Sequence, residues 1–138
     1  MAQFDLHNRV LGTGALNIQT ISSDTTTAGI IIDTFGYESV EFEIHSAAIT
    51  TGIFTPYMEH GDDSGLSDAA EVPADFRKGL YADATFGIAD DDAVKQIGYV
   101  GKKRYVRLSI VTTSSGNGVI GAIAIKGNPK SANIDALT

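Results

Sequence analysis

The sequence predicts an all-β fold, an antiparallel β-sandwich or barrel, with the jelly roll as one form of it. Three stretches carry that reading. Residues 98–113 (GYVGKKRYVRLSIVTT) alternate: Val106, Leu108 and Ile110 point one way, Tyr105, Arg107 and Ser109 the other. Residues 38–47 repeat the pattern, with Val40, Phe42 and Ile44 inward and Glu41, Glu43 and His45 outward. Period-two alternation of β-branched and aromatic residues marks a strand wet on one face. Asn117-Gly118 then supplies the positive φ angles of a tight hairpin turn.

The remaining elements follow in order. Residues 1–14 read as an arm whose large apolar anchors are Phe4 and Leu6; two residues apart, they share one side of an extended segment. Such an arm is held by backbone hydrogen bonds at a sheet edge. Residues 15–127 form the sandwich domain. Within it, 15–21 alternate Leu16 and Ile18 against Asn17 and Gln19, and Ile30, Ile31 and Ile32 give a short strand apolar on both faces. Residues 53–60 give another strand, with Phe54 and Met58 on one face. Pro56 makes it an edge strand or a bulge, the edge expected to receive an arm. Residues 128–138 read as a polar tail.

Residues 61–92 break the pattern. They hold nine of the seventeen acidic residues and little periodicity. Loops of this length are usually functional or partly structured. Phe76, Leu80, Tyr81 and Phe86 are its candidate anchors, with a helical turn near 74–78.

At 138 residues the chain is long enough for one domain with a real core. A net charge of −7 argues against a broad phosphate-binding surface, so no nucleic-acid partner is expected. There is no cysteine, and no apolar run of membrane-spanning length. The N-terminus lacks the regions of a signal peptide, so synthesis in a cytoplasm is expected.

Catalytic patterns are absent: no nucleophile elbow, phosphate-binding loop or zinc-protease helix occurs. His7, His45 and His60 lack metal-ligand spacing. Asp62-Asp63 and Asp90-Asp91-Asp92 lack the calcium-loop pattern and read as solvated acidic loops. No catalytic residue, metal or cofactor is therefore expected. The candidates are for interaction. Lys102, Lys103, Arg104 and Arg107 form a basic patch, with the 61–92 loop as its opposite, either within one chain or between copies. Val119, Ile120, Ile123 and Ile125 leave an apolar face that predicts a homo-oligomer, trimer or dimer.

Two segments extend the reading: Ile32-Asp33-Thr34-Phe35-Gly36-Tyr37-Glu38-Ser39 and Gly98-Tyr99-Val100-Gly101-Lys102-Lys103-Arg104-Tyr105-Val106-Arg107. Separated by a long acidic loop, they resemble small virion structural proteins of tailed bacteriophages, a group that includes capsid decoration (cement) proteins. The resemblance covers roughly residues 28–113. It implies a β-sandwich or barrel seated on the outer face of a capsid, with the major capsid protein as partner. It also implies a stabilising role without catalysis. Another virion component (head–tail completion, tail or fibre-base) is the alternative. A carbohydrate-binding sandwich using the acidic loop is the third reading.

Overall fold

The computed structural model describes residues 5–129. Eight strands run antiparallel: β1 Leu11–Ile21, β2 Thr26–Ala28, β3 Ile32–Asp33, β4 Tyr37–Gly61, β5 Ala70–Glu71, β6 Arg77–Lys78, β7 Val94–Tyr99 and β8 Tyr105–Pro129. Two of them, β4 and β8, are 25 residues each and pair along almost their whole length. Each bends once, so one long ribbon supplies the centre of two half-sheets.

The lower half-sheet runs β1, the end of β8, the start of β4, β7, β6. In the upper one, β2 and β3 flank the start of β8, which pairs with the end of β4, followed by β5. Their inner faces share one core, with Phe42, Ile44 and Ile97 from below and Phe54, Met58, Leu108 and Ile110 from above. The fold is thus the expected antiparallel β-sandwich. Val40, Phe42, Ile44, Phe54, Val106, Leu108 and Ile110 are all buried, as their alternation requires.

The bend is where the sequence reading changes. Residues 38–47 and 53–60 belong to one strand, not two. Asn117-Gly118 closes no hairpin: Gly118 pairs with Ile49 and Asn117 with Thr51, in register with a kink in β4. Ser114 (φ 62°), Ser115 (φ 58°) and Gly52 (φ 91°) take the left-handed conformation and turn both strands together. Asn117 and Gly118 themselves keep ordinary strand φ; the left-handed residues fall three positions earlier, at Ser114 and Ser115, because a strand already paired along both arms bends there to change sheets.

Backbone groups freed at the bend find carboxylates. Ile49 N–H donates to Asp91 Oδ1 at 2.8 Å. Gly116 and Ser115 N–H donate to Asp24 at 2.9 and 3.2 Å. The acidic loop is likewise built rather than loose. Asp63 Oδ2 accepts from Gly65 and Ser67 N–H, and Asp68 accepts from Asp62 and Asp63 N–H. A 3₁₀ turn forms at Ala74–Phe76, where a helical turn was expected, and another at Ala82–Ala84. Phe86 and Val72 enter the core, while Phe76 and Tyr81 pack against it. Leu80 does not anchor the loop; it is 65% exposed.

The Pro56 edge is closed by this same loop. Phe54 exchanges two backbone bonds with Phe86, Val72 N–H donates to the Met58 carbonyl, and Met58 N–H donates to the Tyr81 hydroxyl. Pro56 lies between these positions with the same outward parity, so its missing N–H falls on that edge. The edge is covered by residues of its own chain and is not open to an arm.

Candidate interaction surfaces

The two segments quoted for the resemblance, far apart in sequence, meet at one end of the sandwich. Thr34 N–H and hydroxyl both donate to the Arg104 carbonyl, at 2.8 and 2.7 Å. Arg104 returns a two-pronged ion pair to Asp33, Nε and one terminal nitrogen at 2.8 and 2.9 Å. That guanidinium holds the Asp33 carboxyl below the ordinary aspartate range. A turn from Thr34 to Tyr37, with Gly36 at φ 88° in its third position, leads into β4.

The opposite wall is built on Tyr99. Its ring fills the space over Gly101, where any Cβ would lie 2.5 Å from the ring. Its hydroxyl donates to the Lys103 carbonyl at 3.1 Å and accepts from Lys103 N–H at 3.2 Å. His60 Nδ1 lies 3.0 Å from the same oxygen. Burial pushes the Tyr99 phenol up to about 12. Burial also lowers the His60 pKa, with the Lys103 charge adding to that effect. Between the walls lies a cleft of about 410 Å³, lined among others by Phe35, Glu38, Ser39 and Lys102.

The basic patch is largely engaged within the chain. Lys103 pairs with Asp62 of the acidic loop at 2.8 Å, and Arg107 with Glu59 at 3.1 Å. With Arg104 on Asp33, three of the four candidate cations have acidic partners in their own molecule. The Lys103 and Arg104 pairs are about half-exposed, and exposed ion pairs add little to the stability of a single chain. Lys102 is exposed at the mouth of the cleft.

A second surface is the outer face of the lower half-sheet. Val119, Ile123 and Ile125 stand on it; Ile120 does not, being 1% exposed and part of the core. The strand period explains the correction, since Ile120 has the opposite parity to the other three. Ile18 joins this face against expectation. The register slips by one residue between Leu16 and Gln19, and the bulge turns Ile18 out to 74% exposure beside Ile123. No alternation could reveal it, because a bulge reverses the parity on which alternation rests. Glu41, Glu43 and His45 continue the face across β4, and burial with the neighbouring Glu43 charge raises the Glu41 carboxyl. Leu6 is 72% exposed in a turn before β1, and Phe4 lies outside the described residues.

No protein-family model and no curated protein matches the chain in sequence. Solved structures match in fold. A protein derived from the SPBc2 prophage, YomS, is similar over 86% of this chain and 95% of its own, with a TM-score of 0.53 and 10% identity. The VP2 subviral particle of infectious bursal disease virus is similar over 87% of this chain, with a TM-score of 0.51 and 16% identity. This chain covers 33% of that protein's length. A Bacillus endospore appendage pilus structure matches over 88% and 90% of the two chains at a TM-score of 0.49 and 11% identity.

Proposed function

We propose that this chain is a non-enzymatic virion structural protein that decorates and stabilises a tailed-phage capsid. It sits on the capsid's outer surface with the major capsid protein as partner. One observation carries the reading. The segments 32–39 and 98–107, on which the resemblance rests, form a single surface, clamped by the Asp33–Arg104 ion pair and the Thr34–Arg104 bonds. That the two segments fold into one cleft supports reading them together as one candidate surface. The overlay on nearly the whole of a prophage-derived protein, and on part of a viral particle protein, agrees with it.

The chemistry agrees as well. The carboxylates of Asp24, Asp63, Asp68 and Asp91 hold backbone N–H groups. Three of the four cations of the patch hold carboxylates. Partners of this kind within the chain suit an acidic protein that folds before it is added to a finished shell.

The test is reconstitution. Purified chain is added to capsids that lack it, and bound protein is counted after sedimentation. Decoration predicts saturation at a fixed number of copies per capsomer and capsids that release DNA at a higher temperature. Binding limited to one vertex would favour a head–tail or tail component, and no binding would remove the proposal.

A further inference from the structure

Strand β1 turns a large apolar side chain, Ile18, out to solvent. Alternation from Leu16 would bring Ile18 to the core; the extra residue between Leu16 and Gln19 sends it to solvent instead. The Ile18 backbone lies so close over Gly121 that a Cβ there would sit 2.9 Å from the Ile18 Cα. Bulges re-aim side chains, and this one places an isoleucine against Ile123, itself 50% exposed. Val94, 59% exposed, completes the patch beyond His45. Ile18, Ile123 and Val94 line one groove with Gly14, Glu43 and His45.

Charge says what covers it. One residue in five of this chain is charged, and the net charge is −7. Yet β1 contains no charged residue, and neither do residues 118–125 of β8 beside it. Interface centres are depleted of charge in this way. Two copies of so acidic a chain repel one another over most approaches, and this band lets them meet without opposing like charges. Glu41 and Glu43 border the band on the β4 side only. Consider two such faces related by a two-fold axis parallel to β8. The glutamates of each copy then lie over Gly12 and Gly14 at the other's β1 edge, not over the other's glutamates. The face is self-complementary, as an isologous contact must be.

We infer that the outer face centred on Ile18 and Ile123 is the contact through which two copies of this chain pack face to face. The inference stands apart from the capsid reading, since it concerns the free protein.

Sedimentation velocity of the full chain at micromolar concentration tests it. The wild type should sediment as a dimer. Ile123→Arg and, separately, the milder Ile18→Thr should each weaken the dimer about tenfold or more, with circular dichroism and melting showing a folded protein. Leu80→Arg, at a comparably exposed position in the acidic loop, should leave the dimer intact. A wild-type monomer, a trimer, or a dimer indifferent to both Ile18→Thr and Ile123→Arg would overturn the inference.

Discussion

Gly52 of β4 and Gly116 of β8 meet backbone to backbone where the ribbon changes sheets. A Cβ on Gly52 would lie 2.2 Å from the Gly116 Cα, and Gly52 also holds φ at 91°. A Cβ on Gly116 would meet the Thr112 Cγ2 at 2.1 Å, a buried side-chain atom rather than backbone, and Gly116 is not at positive φ. Gly52→Ala therefore combines backbone strain with an immovable clash and should cost roughly 2–5 kcal/mol. Gly116→Ala should cost less. Urea unfolding of both variants checks the order, and the reverse order would mean that the bend is built otherwise.

The bend also depends on its carboxylates. Asp24→Ala leaves the Ser115 and Gly116 N–H groups without their acceptor, and Asp91→Ala does the same to Ile49. Each should lose about 1–2 kcal/mol, in the range of a lost N-cap. Asn at either position should recover part of it, since its amide oxygen accepts the same bonds. Chemical denaturation of the alanine and asparagine pairs measures the difference.

The core faces are testable directly. Phe42 and Leu108 are fully buried on opposite half-sheets. Truncating either to alanine should cost about 2–5 kcal/mol. A loss below about 1 kcal/mol would mean that the strand faces are inverted.

Acid should weaken the protein in two stages. Burial disfavours the charged form of His60, so below the ordinary histidine pKa of about 6.5 the unfolded chain binds the extra proton and stability falls with pH. Asp33 and Asp90 are shifted down, mainly by the Arg104 hydrogen bond and the Gly87 N–H bond respectively. Their contribution is complete above the ordinary aspartate pKa of about 4 and is lost as pH falls below it. His60→Gln should flatten the first stage and leave the second. Stability measured from pH 7.5 to 3 in both proteins shows whether the first slope belongs to His60.

Much of this architecture is legible in the chain because burial and strand period coincide. Phe42, Ile44, Leu108 and Ile110 could be placed from alternation alone. What was hidden depended on long-range pairing. The turn preference of Asn117-Gly118 is overridden: both pair with β4, and the left-handed residues are Ser114 and Ser115, opposite the kink at Ile49–Gly52. Ile18 was misplaced because the bulge is set by pairing with β8. The cleft could not be read from either wall, since Asp33 and Arg104 meet only once β3 pairs with the start of β8. Likewise, the three cations of the basic patch looked available in sequence until the fold brought Asp62, Asp33 and Glu59 to them.

The most direct test of the capsid reading is a cryo-electron-microscopy reconstruction of particles carrying the protein. Decoration predicts density of this sandwich repeating over the outer capsid lattice and touching the major capsid protein. A lattice bare of it, with the sandwich confined to the tail or its vertex or absent from the particle, would contradict the reading.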